Sequence, residues 1–343
     1  MKKLKILIIR NDKLGDFVLS LPVFKLIKQS MPDAKIHALV PNYTYEIAKV
    51  CDSIDDIIID PGTTASLKYQ RRLFNQVRKQ NYDVVITLFS TTRIGLLMWL
   101  ARIPYRLAPA TKIAQLFYNH RLKQFRSRSE KPEYVYNLEL ASHYLQHAGA
   151  KNITLPAPPY LHFDSSEVSN IKNEFLAAYQ IEKDYQIIII HPGSGGSATN
   201  LSIEQYTDLV HELKPGKKYI FVITAGPGEL EHAQQLSNKL SDIKHLIYHS
   251  TRGLLNFTKF LQSASLFVSG STGPLHLAGA LDIPTAAFYP RRRSATSLRW
   301  QTLNTEPNRL AFMPPMSAEH EDMRAIDVDM AAKQIRNYFS LTQ

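Results

Sequence analysis

The sequence predicts an α/β protein of two similar-sized halves, each a parallel sheet covered by helices. Three observations carry that reading. Short, β-branched apolar runs alternate with stretches whose apolar residues recur at helical spacing, the signature of βα repetition. At 343 residues the chain is too long for one typical core. Near mid-chain the alternation is broken by Leu155-Pro156-Ala157-Pro158-Pro159, where repeated Pro can continue neither helix nor sheet. Domains are therefore expected over 1–158 and 159–325, with a terminal helical segment, 326–343, returning to pack on the first half. A cleft between the halves is the default ligand site.

In the first half, Leu4–Ile9 reads as a buried parallel strand. It ends in Arg10-Asn11-Asp12-Lys13-Leu14-Gly15-Asp16 and leads into a helix carrying Phe17, Val18, Leu21, Phe24, Leu26 and Ile27. Loops at the carboxyl ends of parallel strands are where open α/β sheets place ligands, which makes Asp16, beside Gly15, a candidate. A first-turn acid that complements the helix dipole is the plainer alternative. Strands follow at Lys35–Val40, Ile57–Ile59 and Val84–Leu88, and helices at Tyr43–Val50, Leu67–Lys79 and Ile94–Arg102. The basic stretch Lys112–Lys131, interleaved with Phe117, Tyr118 and Phe125, predicts a surface loop or helix that touches anionic material. No nucleic-acid module signature accompanies it. A helix over Val135–His147 closes this half.

The second half repeats the pattern. Strands are expected at Ile187–Ile190, Tyr219–Ile223, His245–Ile247, Leu266–Val268 and Thr285–Phe288. Helices are expected at Ile203–Leu213, Glu229–Leu240, Leu254–Leu261, Pro274–Leu281 and Val328–Tyr338. Its strand ends are rich in small polar residues. His191-Pro192-Gly193-Ser194-Gly195-Gly196-Ser197 makes a backbone cradle suited to phosphate or ribose oxygens, without the closing Gly-Lys-Ser/Thr of a P-loop or the GxGxxG fingerprint. Ser271-Thr272-Gly273-Pro274 opens a helix whose free N–H groups and dipole suit a phosphate, with His276 just inside, as a ligand contact or a partly buried side chain. Glu229, after Ala225-Gly226-Pro227-Gly228, can accept from sugar hydroxyls or only complement a helix start. Arg252 lies in a further turn, and Arg291-Arg292-Arg293 is either an anion clamp or a solvated loop. No metal is expected: Cys/His zinc spacing is absent, and Asp327-Val328-Asp329 is better explained as a helix cap.

Charge separates the halves. Residues 1–160 hold 24 Lys and Arg against 12 Asp and Glu, a balance of +12, whereas 161–343 hold 17 against 18, a balance of −1. Such asymmetry points to an acidic partner for the first half: nucleic acid, an anionic membrane surface or an acidic substrate. No run of 18 apolar residues can span a bilayer, and Ile6–Ile9 is too short for a signal-peptide core. A single cysteine, Cys51, excludes an internal disulfide and fits a reducing cytoplasm.

Lys13-Leu14-Gly15-Asp16, His191-Pro192-Gly193-Ser194-Gly195-Gly196 and Ser271-Thr272-Gly273-Pro274-Leu275-His276-Leu277-Ala278, in that order over nearly the whole chain, resemble glycosyltransferase family 9, the ADP-heptose:lipopolysaccharide heptosyltransferases. Arg299-Trp300 also looks like the family. The resemblance implies a GT-B fold, two Rossmann-like domains facing a central cleft, with acceptor on the first and nucleotide sugar on the second. It implies inverting transfer that needs neither metal nor cofactor. Asp16 matches the family's proposed general base, and Gly15 lines the reacting sugar. Ser194, Gly195 and Gly196 fall in the donor-phosphate loop, Glu229 near the donor ribose, and Arg252 on an adenine-side loop. Ser271, Thr272, Gly273 and His276 match the diphosphate and sugar turn. Arg71, Arg72 and Arg93 fall where cations meet acidic acceptor groups. Where the family usually carries Lys or Arg, then a residue, then Trp-Pro, this chain has Thr199-Asn200-Leu201-Ser202, and Ser271 replaces an acid found in some members. The implied partners are a nucleotide sugar, an acidic lipopolysaccharide-core acceptor and the anionic inner-membrane surface, not nucleic acid. The implied location is cytoplasmic, peripheral at the inner face of the bacterial inner membrane. The alternatives are a same-family enzyme for another nucleotide sugar and a non-catalytic nucleotide- or carbohydrate-binding protein of this fold.

Overall fold

Ile6–Ile9 are fully buried, and a run of that kind sits in a sheet covered on both faces. In the computed structural model, which describes residues 3–195, 199–216 and 218–341, it forms the body of β1 (Lys5–Ile9). The chain divides into two units, Met1–Tyr160 and Leu161–Gln343.

The first unit continues with α1 (Leu14–Val18), α2 (Leu21–Ser30), β2 (Lys35–Pro41), α3 (Tyr45–Lys49), β3 (Asp56–Asp60) and α4 (Leu67–Gln80). It closes with β4 (Val84–Thr87), α5 (Thr92–Leu100), β5 (Tyr105–Pro109), β6 (His120–Leu122) and α6 (Glu133–His147). Its strands pair in the order β3-β2-β1-β4-β5-β6, all parallel. The helix expected after β1 is in fact two. Pro22 lacks an N–H and its ring would clash with the carbonyl of Val18, so a continuous helix cannot run through it. The break is closed by Ser20, whose hydroxyl donates to Phe17 O at 2.6 Å. Lys112–Lys131 is not simply a loop or a helix. It holds a 3₁₀ turn at Ile113–Phe117, the edge strand β6 and a second 3₁₀ turn at Arg126–Arg128.

The second unit runs α7 (Ser165–Ala178), β7 (Gln186–His191), α8 (Ile203–Leu213), β8 (Tyr219–Ala225), α9 (Leu230–Lys239) and β9 (His245–His249). Next come α10 (Leu254–Leu261), β10 (Ala264–Gly270), α11 (Gly273–Ala280), β11 (Thr285–Phe288), β12 (Arg309–Phe312) and α12 (Val328–Tyr338). The order β12-β11-β10-β7-β8-β9 is the same parallel, doubly wound topology as the first sheet. The terminal helix belongs to the second unit. Ala331, Ala332 and Ile335 of α12 share a core with Leu209, Val210 and Leu213 of α8, so its apolar face is buried within the second unit. Asp327 caps it, accepting from Met330 N–H at 2.9 Å.

Candidate active site

In a doubly wound sheet the loops leaving adjacent strands diverge where the strand order reverses, opening a crevice at the carboxyl ends. That point lies between β1 and β4 in the first unit and between β7 and β10 in the second.

β1 runs directly into Arg10, whose side chain is 2% exposed. A guanidinium so buried needs carboxylates around it, and Arg10 has three. Its Nε lies 2.7 Å from Asp12 Oδ1, its Nη1 lies 2.8 Å from Glu133 Oε1, and its Nη2 donates to Asp16 Oδ1. Nη1 also donates to Asn137 Oδ1 at 3.1 Å. Glu133 and Asn137 both come from α6. Arg126 adds a second cation, with Nη1 2.8 Å from the same Glu133 oxygen and 3.1 Å from Leu88 O, just past β4. Both strands of the switch point therefore end in one charged network. Burial opposes the charge on Arg10, but the three carboxylates outweigh it and push its pKa up. For Asp16, burial comes first and raises the carboxyl pKa to about 6, while Arg10 holds it partly down. The Asp16 side chain keeps 13% exposure, enough to meet a ligand.

A neighbouring network holds the end of β3. Asp60 accepts from Asn11 Nδ2 and from Arg93 Nη2, and Arg93 Nη1 donates to Gln70 Oε1 at 3.0 Å. Gln70 in turn donates to Gly62 O at 2.6 Å.

The second unit builds its strand ends from uncharged donors. The buried His191 ends β7, with Nδ1 2.9 Å from Thr224 Oγ1 on β8. Burial pushes its pKa down, against the pull of Glu229. Glu229 ties two loops together, its Oε1 accepting Gly195 N–H at 2.9 Å and its Oε2 accepting Gly226 N–H at 2.9 Å. Gly193 lies so close to that carboxylate that a Cβ would collide with it. Asn200 fastens the other flank. Its Nδ2 donates to Pro192 O at 2.9 Å, its Oδ1 accepts from the Tyr206 hydroxyl at 2.7 Å, and a Cβ on Gly270 would strike it. Beyond β10, Thr272 caps α11, its Oγ1 accepting Leu275 N–H at 3.4 Å and lying 3.1 Å from Ser269 Oγ. In the first turns of α11, His276 is buried, with Nδ1 lacking a hydrogen-bond partner among the described residues. Burial lowers its pKa to about 4, so the ring is neutral, and it meets Trp300 edge-on at 6.3 Å.

Residues 70–308 match the sequence model of glycosyltransferase family 9 (heptosyltransferase). A Haemophilus influenzae protein named "Putative glycosyltransferase" is 44% identical over 332 residues, 96% of this chain and 95% of that one. This chain belongs to glycosyltransferase family 9. It is a glycosyltransferase with the GT-B fold of the heptosyltransferase structures. A solved family 9 protein from Veillonella parvula aligns with TM-score 0.81 at 16% identity, covering 99% of each chain. The structure of Escherichia coli ADP-heptose lipopolysaccharide heptosyltransferase II aligns with TM-score 0.77 at 17% identity, covering 98% of this chain and 99% of that one.

Several residues expected from the family 9 motifs gather at the two switch points. Gly15 and Asp16 lie at the first; Ser194, Gly195, Glu229, Ser271, Thr272, Gly273 and His276 lie at or beside the second. Gly196 falls outside the described residues, and Thr199 is exposed. Arg252 is exposed after β9, at the outer edge of the sheet. Of the three acceptor cations, Arg93 is held by Asp60, while Arg71 and Arg72 are exposed on α4. The Arg291 side chain is no part of a clamp: it donates to the carbonyls of Met316 and Ala318, and Arg292 meets Glu321 at 3.3 Å. Sequence reasoning passed over Arg10, Arg126, Glu133, Asn137 and Asn200. Of these Arg10 carries a local signal, a cation placed directly after the apolar run Ile6–Ile9.

Proposed function

We propose that this family 9 enzyme transfers heptose from ADP-heptose to the inner core of lipopolysaccharide, inverting the anomeric carbon. The observation that carries the reading is Asp16, fixed at the end of β1 by Arg10 with its carboxyl pKa raised to about 6. Such a carboxylate is ionised at neutral pH yet more basic than an exposed one, as a general base requires. Asp16 takes the proton of the acceptor hydroxyl as that oxygen bonds to the anomeric carbon. The bond from that carbon to the diphosphate breaks, and ADP departs with the electron pair. The second unit is assigned the donor. The amino end of α11, capped by Thr272, faces charge that grows on the diphosphate, beside the Ser194–Gly195 loop that Glu229 holds through Gly195 N–H. Neutral His276 has a ring nitrogen without a partner among the described residues to offer the sugar or phosphate. These groups supply the stabilisation, so the proposed transfer uses no metal and no cofactor. The first unit, with its +12 balance, is assigned the phosphorylated acidic acceptor, met at the cytoplasmic face of the inner membrane.

Exposed Thr199, where the family usually has a cation nearby, favours a second reading: the same chemistry with a different nucleotide sugar. Incubation of the purified chain with a panel of nucleotide sugars and core-truncated lipopolysaccharide separates the two. The expected result is turnover with ADP-heptose. Preference for another donor selects the second reading, and nucleotide binding without turnover on any donor overturns both in favour of a binding protein.

A further inference from the structure

We propose that α5 and the 3₁₀ turn at Ile113–Phe117 form a platform that docks on an anionic lipid bilayer. The sequence of α5, TRIGLLMWL, is apolar almost all round. Its inner face buries Ile94, Leu97 and Met98 in the core of the first unit. Its outer face presents Leu96, Trp99 and Leu100 at i, i+3 and i+4, with exposures of 39%, 51% and 48%. A helix apolar on both sides is either wholly buried or in contact with an apolar phase. The only charged residue of α5, Arg93, is turned to Asp60 and leaves that outer face uncharged.

The turn extends the same surface. Phe117 packs beside Gly95, where a Cβ would meet it at 3.0 Å, and its ring lies 6.3 Å from that of Trp99. Arg106 fixes the turn from below, donating from Nε to Phe117 O at 2.9 Å. Ile113 and Leu116, on this turn, are 69% and 73% exposed. Side chains so open are not waiting for a neighbour within the fold.

Charge identifies what they meet. From Val84 to Ser129 the chain holds eight Lys and Arg and no Asp or Glu. Arg102, just past α5, and Lys112, just before the turn, are exposed and form no ion pair among the described residues. A phosphate polymer would satisfy these cations but offers no apolar layer for Leu116 and Ile113. An anionic bilayer offers both, with headgroups at the level of the cations and acyl chains below, and Trp is at home in that interface. No helix among the described residues is long and apolar enough to cross a membrane, so the contact is with one leaflet. The inference rests on the proposed function only for its purpose, bringing the enzyme to a membrane-borne acceptor.

The test contains neither donor nor acceptor, so its failure leaves the transferase reading standing. The full chain is co-sedimented with phosphatidylglycerol–phosphatidylethanolamine vesicles and with phosphatidylcholine vesicles across a salt series. Binding to the anionic vesicles is expected, weakening with salt. Ile113→Asp with Leu116→Asp should lower it at least about tenfold, and Lys112→Gln about fivefold. Both variants should keep the wild-type melting temperature and ADP affinity. Equal uptake by the two vesicle types, or binding that survives the double substitution, overturns the proposal. So does a dimer in solution that the double substitution splits, since it gives the face to a second copy.

Discussion

The two units share one topology and end their switch-point strands in opposite ways. In the first, β1 and β4 end in Arg10, Arg126, Asp12, Asp16 and Glu133, a set of formal charges with little solvent. In the second, β7 and β10 lead into glycine turns, which Glu229 and Asn200 tie through backbone N–H and carbonyl groups, and into Thr272 and a neutral His276 on α11. A saturated ionic network fixes one carboxylate and shifts its proton affinity, which suits proton transfer. A cradle of neutral donors suits a ligand that brings its own negative charge. The same sheet order hosts either because the difference lies in the side chains around the strand ends and not in the sheet.

The largest expected effect is at Asp16. Asp16→Asn should keep the shape and its contact with Arg10 while removing proton acceptance, lowering turnover about 10²–10⁴-fold. ADP affinity, assigned to the second unit, should hardly change. The pH dependence sharpens this. An acid whose folded pKa is raised to about 6 stabilises the fold fully below its ordinary value, and that contribution is lost as pH rises through about 6. Wild-type turnover should therefore climb through that range as the carboxylate forms, while stability contributed by Asp16 declines. The Asn variant should show neither trend in parallel turnover and urea-unfolding series. Turnover within about threefold of wild type, far short of the general-base range, would remove Asp16 from the chemistry and break the comparison.

A smaller effect is expected from Gly193→Ala. The new methyl group displaces the Glu229 carboxylate, and with it the bonds to Gly195 and Gly226. Destabilisation of about 1–3 kcal/mol is expected, together with weaker ADP binding by calorimetry. Unchanged ADP affinity in a destabilised variant would show that Glu229 organises the fold and not the ligand. The smallest is Thr272→Ala, which deletes the cap of α11 at about 1 kcal/mol, whereas Thr272→Ser should retain most of it. Should the Ala variant lose as much turnover as Asp16→Asn, the division of labour between proton transfer and charge binding fails.

What was legible in the sequence follows from how each piece is buried. β1, β4, β7 and β10, central in their sheets, show continuous apolar runs because both faces are covered. β5, β6 and β12, at or next to a sheet edge, carry Arg106, His120, Arg121 and Arg309, and went unread as strands. α7 buries only Val168 and Leu176, too sparse a stripe to register, although Asp164 caps it. In the site, Asp16 and Thr272 stood out because turn chemistry is local. Arg10 did not, because its burial depends on Glu133 and Asn137, 123 and 127 positions along the chain. Asn200 was visible only as an unexpected residue in a family pattern; its role depends on Tyr206 and on the missing side chain of Gly270.

The network around Arg10 also has a stoichiometry. With every member ionised, Arg10 and Arg126 supply two positive charges, and Asp12, Asp16 and Glu133 supply three negative ones. The surplus is a single negative charge. Burial raises the Asp16 carboxyl pKa to about 6, so one proton placed there brings these five side chains to balance. Protonation of Asp16 takes the formal charge of these five side chains from −1 to zero, and a second proton would leave it positive.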